Sequence, residues 1–454
     1  MSYHQISRPE LGIRREWQFP LPQMRTLDNG MTIWAYQLPG QYVLSMELVF
    51  DVALSDEPTG HEGVATLALR CSDEGTVAHP GNALAERIES IGAEYDGGAA
   101  RWATRCGIDV AAPYADQAVD LLSEIVRTPA YEERDVERHR TLALTEIEQM
   151  RASSGSMASV GMRQALWTAG TRHALPSTGT AQSIAGLDAT QVRAFHDRWW
   201  RPDGSTLILA GDLPDGLVDR TAEVFSRWPS IGSRSNAGAP RARAGGAPVR
   251  VIDRPGSVAA DVSFGLVGPA HDDPQWSALQ VATEAVGGAF GSRLNLSLRE
   301  RLGYTYGVSA SLSASRFNSA FGSSASIRNE VVAAACREAL DQLDLDGHPL
   351  RDEEVSSAID SLIAIAPLRY DTAGAIVGQA GALAARGFSP DWINQVNRGI
   401  AATTTDQANE AFDALVSRSV REHTLRMVIC GDAGQLVGPL EADGFRVEPF
   451  APIL

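Results

Sequence analysis

Two short stretches, Thr206–Asp212 (TLILAGD) and Arg426–Asp432 (RMVICGD), decide how this chain is organised. Each is an apolar run of strand length that ends in Gly-Asp, and each follows a helix-like stretch, ATQVRAFHDRWW from Ala189 and TDQANEAFDALV from Thr405. The closing aspartates stand 220 positions apart and the helix phenylalanines, Phe195 and Phe412, stand 217 apart. Two matched pairs at nearly one offset predict an internal duplication. Between the copies lies GSRSNAGAPRARAGGA, from Gly232 to Ala247, which has no apolar periodicity and reads as a flexible connector.

Working outward, MTIWAYQLPG from Met31 and VLSMELVFDVAL from Val43 read as strands, the second with apolar and polar residues in alternation. Gly81–Gly92 places Leu84, Ile88 and Ile91 on one helical face, and Asp116–Arg127 repeats the pattern before Pro129 stops it. Ala333–Leu343 and Glu353–Ile363 carry similar spacing in the second half. The expected architecture is two homologous α+β domains, residues 20–231 and 249–454, joined by a linker at 232–248. In each, a mostly antiparallel sheet carries helices on one face.

With 454 residues, 44% hydrophobic and 21% charged, the chain suits a multi-domain globular protein. The net charge of −17 disfavours nucleic acid and anionic membrane as partners and weakly favours basic or neutral peptides. All 39 basic residues are arginine. Without lysine there is no Walker A loop, pyridoxal-phosphate aldimine or Schiff-base enzyme. G-x-S-x-G and G-x-G-x-x-G are also absent. The opening MSYHQISRPELGIRREWQFP has no apolar core, and no run approaches the length of a membrane span, so no leader and no membrane anchor are expected. Cys71, Cys106, Cys336 and Cys430 are scattered, as free thiols of a reducing compartment would be, and the expected location is cytoplasmic.

The chemistry turns on Gly63–Thr76, GVATLALRCSDEGT. A zinc helix of the H-x-x-E-H kind needs two imidazoles on one face to hold the metal and a carboxylate to take a proton from water. This stretch resembles the first helix of the pitrilysin-type (inverted zincin) peptidases, G-x-A-H-x-x-E-H-x-x-x-x-G-T, in Gly63, Ala65, Gly75 and Thr76 only. Thr66 stands at the first histidine, Leu69 at the general-base glutamate and Arg70 at the second histidine. A fixed guanidinium charge repels a metal, so no zinc is expected in this chain. The family's third ligand maps to Glu146 in LALTEIEQM; one ligand makes no site, and the plain expectation is a helix carboxylate near an arginine. His61-Glu62 lacks the second histidine of H-E-x-x-H because position 65 is alanine, and His196 reads as a core or helix-surface residue.

Further landmarks extend the resemblance from about Leu27 to Asp432: FHDRWWRPDGSTLILAGD, LVGPAHDDPQW with GGAFGSRL, and SLRERLGYTYGVSAS from Ser297. In active members an arginine and a tyrosine of the last segment reach the substrate, and these map to Arg299 and Tyr306. Read without the resemblance, Arg299 pairs on the surface with Glu300 or a neighbour while Tyr306 packs. GAEYDGGAARWAT falls where active members pair a strand with peptide, and Asp96 with two glycines makes a weaker edge here. The resemblance therefore implies half of a clamshell chamber. It implies a non-catalytic, peptide-binding subunit that supplies Arg299 and Tyr306 to a cleft whose zinc comes from a homologous H-x-x-E-H partner. The competing expectation is a scaffold of the same fold with no proteolytic role.

Overall fold

The computed structural model describes residues 17–232, 235, 237–246 and 248–454. Most of the opening stretch read for a leader, and connector positions 233, 234, 236 and 247, lie outside the described residues. The strands of the first half are β1 (Gln23–Thr26), β2 (Thr32–Gln37), β3 (Val43–Phe50), β4 (Glu94–Ala100), β5 (Ala103–Ala111) and β6 (Thr206–Gly211). They form one sheet in the order β1-β2-β6-β3-β5-β4. The second half repeats the plan with β7 (Val249–Asp253), β8 (Ala259–Gly268), β9 (Thr305–Ala314), β10 (Ser319–Arg328), β11 (Arg426–Gly431) and β12 (Val447–Pro449), ordered β12-β7-β11-β8-β10-β9. In both sheets the last long strand returns to the middle, parallel to the first long strand and antiparallel to the next: β6 between β2 and β3, β11 between β7 and β8. The two Gly-Asp stretches are thus equivalent strands, as the duplication requires.

The helices read from sequence form close to their expected bounds, at Asn82–Ser90, Ala115–Arg127, Val332–Leu343 and Asp352–Ala364. One side of each sheet packs on helices of its own half. Ile33, Leu44, Met46, Leu48, Leu207 and Leu209 point into that core in the first half, and Val251, Val262, Phe264, Phe321, Met427 and Ile429 do so in the second. The alternate residues of the same strands are also buried: Trp34, Tyr36, Val49, Ile208 and Ala210. Although β3 alternates apolar and polar residues, both of its faces are covered, and it is buried along nearly all of its length.

The cover on the second face is lent by the opposite half. Helix Ala373–Arg386, from the second half, lies across β3 and β6 and sets Ile376, Val377, Ala380 and Leu383 against Trp34, Tyr36 and Ile208. Helix Ser154–Leu166, from the first half, lies across β8 and β11 and sets Ala158, Met162 and Ala165 against Ile252, Val428 and Cys430. Both begin on hydroxyl caps, Thr372 to the Ala375 amide and Ser153 to the Ser156 amide. Both are rich in Gly and Ala, which lets the backbones approach the sheets closely. Each large apolar side chain so buried contributes roughly 1.5–3 kcal/mol. The described part of the connector is tied down where it passes the end of Ser154–Leu166. Arg243 donates its amide to the Leu166 carbonyl at 2.8 Å, and the Arg426 guanidinium donates to the carbonyls of Arg243 and Gly246, each at 2.7 Å.

One polar group sits in this packing. Glu47 of β3 points at Ala373–Arg386, where a Cβ on Gly381 would collide with its carboxylate. Its Oε1 lies 3.3 Å from Arg105 Nη1 without the alignment of a hydrogen bond. Burial, only partly offset by Arg105, raises its pKa from 4.5 to about 7. The folded state therefore holds a proton that the unfolded chain has lost between these values, and stability falls as pH rises through that window. Glu47→Gln is expected to leave the urea midpoint nearly unchanged at pH 4 and to raise stability by on the order of 2 kcal/mol at pH 8. The exchanged helices make a paired prediction. Gly161→Ile, whose Cβ would meet Ile252 Cδ1 at 2.8 Å and Val428 Cγ1 at 3.0 Å, is expected to destabilise by about 1–3 kcal/mol. Gly378→Ala, on the open side of Ala373–Arg386, is expected to stabilise by about 0.5–1 kcal/mol in the same denaturation measurement.

Candidate functional site

The helix read as a degenerate zinc helix is formed by Val64–Arg70, and its retained frame has structural causes. Gly63 precedes it at φ +100, and a Cβ there would lie 2.3 Å from the Thr178 carbonyl oxygen. Gly75 lies at φ +147, where a Cβ would lie 2.4 Å from the Gly81 nitrogen. L-residues rarely adopt such backbone, so both positions demand glycine whatever the chemistry of the helix. The helix N-terminus rests on the buried Glu57 carboxylate, which accepts the amides of Gly63 and Ala65 at 3.0 Å each. Arg172 secures Glu57 from the other side at 2.5 Å and donates to the Pro176 and Ser177 carbonyls.

The metal-binding positions have become something else. Arg70 Nη1 donates to both carboxylate oxygens of Glu146, at 2.8 and 2.9 Å, and so ties this helix to helix Glu133–Ala152. A guanidinium occupies the electrostatic role of a cation between two helices. Leu69 is buried beneath β4, where Gly97 leaves it room; a Cβ at 97 would meet Leu69 Cδ1 at 3.0 Å and the Arg105 carbonyl at 2.4 Å. Thr66 Oγ1 donates to the Ser177 carbonyl at 3.3 Å. The structure therefore brings Arg70 and Glu146 together and turns Leu69 and Thr66 to packing and a loop contact. Among the described residues no group of three or more His, Cys, Asp or Glu side chains is placed to hold a metal. His196 is core: its Nε2 meets the Val126 carbonyl at 3.0 Å, and burial lowers its basicity. The four cysteines are free and buried.

Arg299 and Tyr306 lie in the other half, on helix Asn295–Arg301 and near the start of β9, the edge strand of the second sheet. Arg299 pairs with Glu300 at 2.9 Å, and its guanidinium carbon stacks 3.6 Å from the ring centroid of Phe290. Tyr306 is fully exposed and does not pack. Phe290, itself exposed, is the residue that reading the sequence missed; the stretch GGAFGSRL contained it, but no periodicity marks an aromatic that serves a side chain nine residues on. The other edge strand, β4, pairs only with β5, and its residues are mostly exposed. The tips of the two edge hairpins meet. Trp102 contacts Phe317 edge-on at 5.2 Å, and Arg316 pairs with Asp51 at 3.1 Å.

Since the Arg70 and Glu146 side chains are 31% and 42% exposed, their attraction is screened. A double-mutant cycle with Arg70→Ala and Glu146→Ala is expected to give a coupling of about 0.5–1 kcal/mol in urea titrations, shrinking as salt is raised. A coupling of zero would remove the cross-link role of the pair.

Comparisons with known proteins fit this geometry. Residues 37–174 match the family model described as insulinase (peptidase family M16), and residues 186–362 match that described as the peptidase M16 inactive domain. The chain is 28% identical over 295 residues to an uncharacterized zinc protease of Mycobacterium tuberculosis, covering 64% of this chain and 67% of that protein. It is 25% identical over 270 residues to cytochrome b-c1 complex subunit 1 of Rattus norvegicus, covering 59% and 56%. The fold matches the crystal structure of a peptidase M16 inactive domain from Pseudomonas fluorescens with a TM-score of 0.80 and 21% identity, over 90% of this chain and 98% of that one. Two family models matched in succession over residues 37–174 and 186–362, with no H-x-x-E-H in the sequence, identify this chain as a member of the peptidase M16, or pitrilysin-type, family that lacks the family's zinc motif.

Proposed function

We propose that this chain is the non-catalytic, peptide-binding subunit of a two-chain zinc peptidase, whose homologous partner carries the H-x-x-E-H helix. The observation that carries this reading is the state of the Arg299–Tyr306 segment. A phenol stands fully exposed on an edge strand, and the nearby arginine is held by the ring of Phe290. An isolated protein gains nothing from that arrangement. Across an interface, Tyr306 can donate a hydrogen bond, and Arg299 can turn its fork from the exposed Glu300 carboxylate to a peptide carbonyl or a developing oxyanion. On the first sheet, glycines at 97 and 98 weaken the β4 edge for pairing with an extended peptide.

A second reading, a scaffold of this fold with no peptidase partner, is favoured by the likeness to a cytochrome b-c1 subunit and by the engagement of Arg299 with Glu300. Co-expression with a zinc-bearing homologue from the same source separates the two. Peptide cleavage is measured for each chain alone, for the pair, and for the pair carrying Arg299→Ala or Tyr306→Phe. The expected result is activity in the wild-type pair alone, with kcat lowered by about 10- to 100-fold in variants that still assemble. A homologue equally active alone, or variants cleaving at the wild-type rate, would establish the scaffold.

A further inference from the structure

Between the two halves lies a cavity of about 450 Å³, walled by the β4–β5 turn, the β9–β10 turn and the two exchanged helices. Its charged lining is entirely basic: Arg101, Arg105, Arg163 and Arg386. A second pocket of about 250 Å³ shares Ala100, Arg101 and Arg163 with it and adds Arg172 and His173, again with no carboxylate in its wall. In a chain of net charge −17 this concentration of one sign is unusual. Two of the five arginines have carboxylate partners, Arg105 with Glu47 and Arg172 with Glu57. Arg101, Arg163 and Arg386 form no ion pair among the described residues. Arg163 donates to the Leu175 carbonyl at 3.1 Å, and Arg101 stacks over Trp167 at 5.5 Å.

Three polar atoms of the lining are buried with no hydrogen-bond partner: Arg101 Nη1, Trp102 Nε1 and Ser319 Oγ. Trp102 and Ser319 are almost wholly buried. Burial and mutual repulsion push Arg101 down to about 10 and His173 down to about 4, and lower Arg163 and Arg386 as well. Trp102, Trp167, Met162 and Leu166 supply apolar wall beside these donors.

We propose that this cavity is a binding site for a small organic anion, a carboxylate or phosphate ester on an apolar body, held between Arg101, Arg163 and Arg386. Clustered cations without a counter-ion destabilise a fold, and an anion of matching shape relieves their mutual repulsion. The volume suits a molecule of about the size of a substituted benzene ring with one or two charged groups. Since both exchanged helices and both hairpin tips contribute, the ligand would bridge the two halves. This site is independent of the peptide-binding reading, which concerns the Arg299 segment.

The test is a thermal-shift and calorimetric titration of the full chain with phenyl phosphate, with inorganic phosphate and benzyl alcohol as single-feature controls and a hexaglutamate peptide as the polymeric alternative. Phenyl phosphate at about 10 mM is expected to raise Tm by roughly 2–4 °C and benzyl alcohol to leave it unchanged. Arg101→Met and Arg386→Met, which break no ion pair among the described residues, are each expected to keep or raise the ligand-free Tm while abolishing the phenyl phosphate shift. The proposal is overturned by any of four results: no shift with phenyl phosphate, an equal shift with benzyl alcohol, a shift that survives in both variants, or a response to hexaglutamate alone. A lower ligand-free Tm in both variants would equally overturn it, because it would show that these arginines are compensated.

Discussion

Everything in this chain depends on the reciprocal loan of one helix across two sheets. A six-stranded sheet with apolar residues on both faces needs two layers of cover, and each half provides only one. Ala373–Arg386 completes the first sheet and Ser154–Leu166 completes the second. Neither half can bury Trp34, Tyr36, Ile252 or Val428 alone, so the two duplicated units form one structure despite the long connector between them. Asn394 reinforces the bond by holding the backbone of Phe19 through both its amide and its carbonyl, at 2.8 and 3.0 Å. The small residues of the lent helices follow from the same need, since a larger residue at Gly161 would push the helix away from the strands it must cover.

That architecture explains why a peptidase frame persists after its chemistry has gone. Gly63, Gly75 and the buried Glu57–Arg172 pair seat the first helix through backbone geometry and packing, without reference to a metal. The side chains at the motif positions are set here by their neighbours. Leu69 turns toward the core because it faces the underside of β4. Arg70 takes up the carboxylate at Glu146, the third-ligand position of the family. A guanidinium thus stands between two helices at positions where the family's motif presents metal ligands.

The absence of lysine gives the charge distribution its particular character. Every cation here is a planar, permanently charged fork, suited to bidentate and stacked contacts rather than to proton transfer. At Arg70 and Arg172 that fork works as a structural clamp. At Arg299 it lies on an aromatic ring at the surface, open to a partner. In the cavity between the halves several forks converge where the lent helices and hairpin tips meet, and no carboxylate lines the wall. Three local settings thus draw different uses from one residue type.

The duplication, the fold class and the absence of the zinc motif were legible in the amino-acid sequence, because each is written in local pattern. Equivalent strands repeat at one offset, helices repeat their apolar face, and a metal site needs particular side chains at particular steps along one helix. Phe195, Phe412, Thr66, Leu69 and Arg70 could therefore be placed without coordinates. What only the tertiary structure decided involves residues far apart in the chain. The Arg70–Glu146 pair spans 76 positions, and although sequence marked both residues, it did not make them partners. The lent helices were not marked in the sequence, since a short Ala- and Gly-rich stretch carries no sign of which sheet it will cover. The strongly buried β3 read as a half-exposed strand because Glu47 and Ser45 interrupt its apolar run, although both face a helix more than three hundred residues away. The arginine cavity was wholly invisible from sequence, since its walls come from four segments brought together only when both sheets are closed. Pattern along a chain reports what neighbours share, and the burial of a second face is set by a partner that the pattern does not contain.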